Sequence, residues 1–140
     1  MIRVLIVDDH NLVREGLKAL LEKADDIEIV GEAGDGHEAV QLALSRRPDV
    51  VIMDITMPRI NGIQAIAQLR RLRVTSHIVV LSVHADESLV EQALQNGAMA
   101  YILKRSSTRD LLAAVRAANR GELYLSEGLA KGLKPIEDVR

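Results

Sequence analysis

The stretch VVIMDITMPRING, residues 50–62, decides the fold. Its first four residues are apolar without a break, the pattern of a strand covered on both faces, because a strand with one wet face alternates with polar residues. Asp54 follows at once. The chain then passes through Thr56 and Pro58 to Asn61 and Gly62, a run poor in helix formers that makes a loop at the strand's carboxyl end. A lone acid at the exit of such a strand lies on the rim of a sheet, half out of water, where an isolated charge is costly unless another group answers it. What else reaches that rim decides what the acid can do.

Outward from this strand, residues 2–7, IRVLIV, form a first strand that runs straight into Asp8 and Asp9. Residues 28–33 form a second, 78–81 a fourth ending at Ser82, and 100–103 a fifth ending at Lys104. Helical stretches separate them. Val13, Leu17, Leu20, Leu21 and Ala24 recur at i, i+4, i+7, i+8 and i+11, the stripe of an amphipathic helix over 12–24, with Leu12 off the stripe. Asp35 and Glu38 have capping-box spacing at the head of a second helix that Pro48 stops at about Arg47. Asn61 caps a third helix through about Leu72, and Asp86 or Glu87 opens a fourth, with Gly97 placed for a left-handed terminus. Ser107 and Asp110 repeat the capping-box spacing ahead of a last helix to about Arg120. Residues 122–140, with Gly128, Gly132 and Pro135, read as a linker or tail with one loose helical turn near Leu129.

Strands alternating with helices through short connections call for an α/β fold with a parallel sheet covered on both faces. Right-handed crossovers then favour a doubly wound five-stranded sheet, flavodoxin-like, in the order 2-1-3-4-5, with strands one and three beside the switch point. Every strand of a parallel sheet ends at the same edge. Asp8, Asp9, Asp54, Ser82 and Lys104 are thereby brought to one rim from most of the length of the chain.

Composition sets the bounds. The 140 residues are 48% hydrophobic, enough for one domain over residues 1–121 with a real core, and the near absence of aromatics leaves only Tyr101 and Tyr124. With no cysteine there is no disulfide, thiolate metal site or thiol nucleophile. No apolar run approaches a membrane span and no leader is evident, so a cytoplasmic protein is expected. The formal charge of −2 offers nucleic acid no global attraction. Nothing after Gly121 reads as a helix-turn-helix, so no DNA-binding domain is expected within the chain.

Three carboxylates on one rim repel, a pair about 5 Å apart by roughly 3 kcal/mol at an effective dielectric of about 20. Oxygen donors without His or Cys suit a hard ion such as Mg²⁺. Lys104 adds a fixed positive charge and Ser82 a hydroxyl donor. A divalent ion, an ammonium and a hydroxyl converging on one carboxylate are the parts that hold the equatorial oxygens of a phosphoryl group in transfer, with Asp54 as nucleophile.

VDDH at 7–10, MDITMPRINGI at 53–63, VLSVHAD at 80–86 and AYILK at 100–104 resemble the receiver domain of two-component response regulators. The resemblance implies that Asp54 accepts a phosphoryl group from a sensor histidine kinase. It also implies that Asp8 and Asp9, with Asp54 and the backbone carbonyl of Thr56, hold Mg²⁺, and that Ser82 and Lys104 bind the phosphoryl oxygens. Tyr101 is implied as the aromatic that changes rotamer when Ser82 moves, altering the surface of helix four, strand five and helix five. The wording from Ala93 to Ser126 is similar to the subclass whose receiver precedes a LuxR-type helix-turn-helix domain, NarL/FixJ-like, so control of transcription is expected of a full-length regulator. A stand-alone receiver acting through protein contacts is the alternative. Leu12 is a candidate contact for the kinase. Asp86, Glu87 and Glu91 against Arg109, Arg116 and Arg120 read first as solvated faces, and otherwise as a homodimer contact or an internal brace. Arg105 stands where many receivers carry proline after the lysine, which leaves the isomer of the Lys104–Arg105 bond open. A phosphohydrolase of the haloacid-dehalogenase type would want a second acid at the position of Thr56, so a signalling switch is expected and not an enzyme.

Overall fold

The computed structural model describes residues 1–57 and 61–129. Pro58, expected in the loop after the central strand, lies outside the described residues, as do Gly132, Pro135 and the rest of 130–140 in the expected tail. The elements run β1 (Ile2–Val7), α1 (Asn11–Glu22), β2 (Ile27–Ala33), α2 (Gly36–Arg46), β3 (Val50–Asp54), α3 (Gly62–Arg71), β4 (His77–Ser82), α4 (Glu87–Gln95), β5 (Ala98–Leu103), a 3₁₀ turn (Lys104–Ser106), α5 (Ser107–Asn119) and β6 (Tyr124–Leu125). All strand pairs are parallel, in the order β2-β1-β3-β4-β5-β6. The expected doubly wound order holds, and a sixth strand is added at the edge.

The pleat sorts the core. Leu5, Val7, Val51, Met53, Val80 and Tyr101 face a cluster completed by α2, α3 and α4, while Val4, Ile6, Ile52, Leu81 and Ile102 face one completed by α1 and α5. Successive strand residues point to opposite faces, so an unbroken apolar run fills both layers. All five residues of β3 are buried, Asp54 included.

Helix boundaries follow local chemistry with two departures. Asn61 caps α3 in a reciprocal box with Gln64, and Asp35 accepts from the Glu38 amide while the Glu38 carboxylate turns to the amide of Gly34. Gly97 takes φ +106 just past α4, as expected of a left-handed terminus. The Ser107–Asp110 box does not form: α5 is capped at Ser106 without a side-chain bond, and Asp110 is buried and bonded to Tyr124 and Ser126. The reason is that residues 122–129, expected to be linker, return to the sheet. Tyr124 and Leu125 pair with Ala100 and Tyr101, and a turn bonds the Leu129 N–H to the Ser126 carbonyl.

The expected brace between α4 acids and α5 arginines is also replaced. Arg116 makes a two-pronged pair with Asp26 at 2.9 Å and 2.9 Å, Arg120 meets Glu122 at 2.9 Å, and Arg109 lies 3.8 Å from Glu127. Leu12 is 84% exposed, off the buried stripe as read. No cis peptide bond occurs among the described residues, so Lys104–Arg105 is trans.

One glycine fixes the loop that carries Asp54. A Cβ on Gly62 would sit 2.4 Å from the Asp54 carbonyl oxygen and 2.5 Å from the Ile55 Cα, both backbone atoms with nowhere to go. Gly62→Ala is expected to cost about 1–3 kcal/mol in urea denaturation through overpacking. Gly16→Ala, with nothing within 4 Å of the new methyl, is expected to stabilise by about 0.5–1 kcal/mol.

Candidate functional site

Strand register builds the site. Val7 pairs with Met53, so Asp8 and Asp54 leave neighbouring strands at the same level. Asp54 pairs with Leu81 and Ser82 pairs with Leu103, so Ser82 and Lys104 follow one step further along the same edge. The sequence-predicted residues thus converge from four strands without any long loop.

At the centre, the Lys104 Nζ lies 3.1 Å from Asp8 Oδ2 and 3.2 Å from Asp54 Oδ2. One ammonium bridges two carboxylates that are 0% and 3% exposed. The second oxygen of each is held by backbone: Asp54 Oδ1 accepts the Thr56 N–H at 3.0 Å, and Asp8 Oδ1 accepts the His10 N–H at 2.9 Å. Burial pushes the Asp54 carboxyl above its ordinary range, and the charge of Asp8 adds to this; the Thr56 N–H and Lys104 oppose it without cancelling it. For Lys104, burial pulls the ammonium down, but the charges of Asp54 and Asp8 together outweigh it and the net direction is up. The pair is held ionised on the lysine side and strained on the Asp54 side.

Asp9 stands beside them. Asp8, Asp9 and His10 each offer one ligand atom within 4.8 Å of one another, and His10 Nδ1 lies 3.1 Å from Asp9 Oδ1. Asp8 Oδ2 and Asp9 Oδ1 are buried without a hydrogen-bond partner, although Lys104 approaches the first. Two adjacent buried carboxylate oxygens, one met only by the Lys104 ammonium and the other only by the His10 ring, are hard ligands that fit an oxygen-seeking divalent cation. Asp54 lies outside that group and joins it through Lys104. Thr56 contributes its N–H to Asp54 and exposes its side chain.

Ser82 and Tyr101 meet at one residue, His84, through the peptide groups on either side of it. The Ser82 Oγ accepts the His84 N–H at 2.9 Å, and the fully buried Tyr101 donates its hydroxyl to the His84 carbonyl at 2.7 Å. Burial, foremost, raises the Tyr101 hydroxyl's pKa. His84 acts here through its backbone, a role that side-chain chemistry in the sequence could not announce. Arg14 was missed for a similar reason: its guanidinium donates to the Asp8 carbonyl and the Asn11 side chain, and its Nε to Glu32 at 3.3 Å, which ties down the turn that presents Asp8 and Asp9. Its only sequence signal is its place one turn into the helix that follows the acids.

Residues 4–116 match the family model described as "Response regulator receiver domain". The chain is 44% identical over 130 residues to the transcriptional regulatory protein LiaR of Bacillus subtilis, covering 93% of this chain and 62% of that protein. It is 42% identical to the nitrate/nitrite response regulator protein NarL of Escherichia coli, covering 90% and 58%. The chain therefore spans about three-fifths of the length of these curated relatives. Among solved structures, a two-component response regulator of the LuxR family from Aurantimonas sp. superposes with TM-score 0.88 at 33% identity, covering 92% of each chain. The response regulator domain of Thermotoga maritima CheB does so with TM-score 0.81 at 34% identity, covering 86% of this chain and 97% of that one.

The raised pKa of Asp54 has a consequence for stability. The unfolded carboxyl ionises first as pH rises from about 3.8, so ionisation favours the unfolded chain, and stability from this group is lost between that pH and its higher folded value. In divalent-free buffer, Asp54→Asn is expected to be more stable than the parent at pH 7, with the gap closing toward pH 3. Denaturation midpoints across that range check the sign; a parent more stable than Asp54→Asn at pH 7 refutes it.

Proposed function

The chain belongs to the response regulator receiver family, and from that premise we propose that it is a phosphorylation-dependent switch whose acceptor is the carboxylate of Asp54. The family consists of signalling proteins and not of classical enzymes. The observation that carries the reading is the single ammonium of Lys104 shared between Asp8 and Asp54 at 3.1 Å and 3.2 Å. A lysine so placed is already where negative charge would appear when a phosphoryl group joins Asp54.

In the proposed reaction an Asp54 oxygen attacks the phosphorus of a phosphohistidine on a sensor histidine kinase. The new O–P bond forms as the N–P bond breaks, and the departing imidazole takes up a proton. Lys104 turns from the two carboxylates to the phosphoryl oxygens, and Ser82 donates its hydroxyl to another. Asp8 and Asp9, with Asp54 and the Thr56 carbonyl, are the proposed ligands of Mg²⁺, which would neutralise charge on the transferring oxygens. The buried oxygens of Asp8 and Asp9, side by side beside the Lys104 ammonium and the His10 ring, support that assignment.

Relay to the surface follows from the shared contact with the His84 backbone. When Ser82 turns to the phosphoryl group it releases the His84 N–H, and Tyr101, bonded to the carbonyl of the same residue, is drawn into the change. The face made by α4, β5 and α5 would then differ between the two states. Similarity to the transcriptional regulatory protein LiaR supports a place in gene control, with DNA bound through a further module outside residues 1–121; a cytoplasmic location is part of the same reading. No helix among the described residues is long and apolar enough to cross a membrane. A homodimer and a kinase contact at Leu12 belong to the same proposal.

The test is intact mass after incubation with Mg²⁺ and acetyl phosphate. The parent chain is expected to gain one phosphoryl group and Asp54→Ala none. Lys104→Ala is expected to gain it about 10²-fold or more slowly, the loss typical of removing one donor to a developing charge. Gain without Mg²⁺, or full gain in Asp54→Ala, refutes the assignment.

A further inference from the structure

Outside the site, the best-built polar cluster among the described residues is a buried carboxylate that the proposed reaction does not use. Asp110 on α5 is 5% exposed, and Ser126, past the end of α5, is 0% exposed. Asp110 Oδ1 accepts the Tyr124 hydroxyl at 2.8 Å and Oδ2 accepts the Ser126 hydroxyl at 3.1 Å. The same Ser126 Oγ accepts the N–H of Leu103 at 2.9 Å, and the Ser126 N–H donates to the Tyr101 carbonyl at 3.0 Å. Arg109, the cation beside this cluster, lies 3.7 Å away and is largely in water.

This chemistry fixes one partner. A buried carboxylate is tolerated only while donors satisfy it, and both oxygens of Asp110 are satisfied by the segment from Tyr124 to Ser126. The other end of the network is the backbone of β5, at Tyr101 and at Leu103, the residue before Lys104. Beyond Ser126 the segment continues across the side of the molecule: Glu127, Gly128 and the buried Leu129 line a cleft of about 260 Å³ with Glu87, Val90 and Leu103. That is the α4–β5 side, the face proposed to change with phosphorylation.

We propose that residues 124–129 form a strap, latched to Asp110 by Tyr124 and Ser126, whose docking is coupled through β5 to the phosphorylation state of Asp54. The proposal rests on the acceptor reading above. Asp110, Tyr124 and Ser126 are positioning residues for Lys104: they hold the amide next to it while the ammonium bridges Asp8 and Asp54. Movement of Lys104 to a phosphoryl group pulls on Leu103 and loosens its bond to Ser126. Coupling is reciprocal, so a weakened latch alters phosphorylation just as phosphorylation weakens the latch.

Hydrogen exchange on the full chain, read by mass spectrometry with Mg²⁺ and with or without acetyl phosphate, tests this, with intact mass taken on the same samples. Phosphorylation is expected to speed exchange of the Leu103, Ser126 and Leu129 amides by about fivefold or more, the lower end of ordinary coupling. Ser126→Ala and Tyr124→Phe are expected to speed the same amides by about fivefold without donor, and acetyl phosphate then adds little further. Asp110→Asn serves as a third variant, and all are first checked for cooperative melting. Normal phosphoryl gain with unmoved strap amides overturns the strap, as does a full further speeding of these amides by acetyl phosphate in Ser126→Ala and Tyr124→Phe. No phosphoryl gain in the parent overturns both proposals and is distinguished from failure of the strap alone by the mass.

Discussion

The structure depends on one ammonium between two buried acids. Without Lys104, Asp8 and Asp54 would face each other as like charges in a place where water reaches neither, 0% and 3% exposed. At 3.1 Å and 3.2 Å, with an effective dielectric of about 20, each contact with the lysine is worth about 5 kcal/mol before desolvation is charged against it. The upward shift of Asp54 shows which side wins: burial exceeds what Lys104 and the Thr56 amide return. The site owes its geometry to the fold beneath it. It is held by the apolar strands beneath it, which place three ionisable groups together by register and leave them to accommodate one another.

That dependence explains why so much was legible in the sequence. The central strands are apolar enough to be found from the sequence, their order follows from short right-handed connections, and β1, β3 and β5 each place a charged residue at their carboxyl end on the same rim. Asp8, Asp54 and Lys104 could therefore be assembled on paper. The rest was not legible because its partners are backbone groups or distant returns of the chain. His84 matters through its N–H and carbonyl, which every residue possesses. Ser107 and Asp110 have the spacing of a cap, but the cap competes with Tyr124 and Ser126, and burial of the carboxylate with two hydroxyl donors wins over an exposed local bond. Similarly, Arg116 was read against the acids of α4, whereas α5 packs with α1 and brings it to Asp26 in the turn beyond that helix.

Strand β5 collects these threads because its side chains and its edges serve different masters. Tyr101 and Leu103 point into the α4-side cluster, and Lys104 continues to the rim. On one edge β5 pairs with β4 at five positions, from Ile78↔Ala98 to Ser82↔Leu103. On the other it pairs with β6 at only two, Ala100↔Tyr124 and Tyr101↔Leu125. A displacement of Lys104 strains both edges, and the strain is released where fewest bonds must break. The β4 edge lies inside the sheet, between apolar layers, whereas the β6 edge is a short outer ladder held by one buried acid and two hydroxyls. The asymmetry means that a parallel sheet, rigid in its middle, has its compliance concentrated on the outer side of the strand that carries the site's lysine.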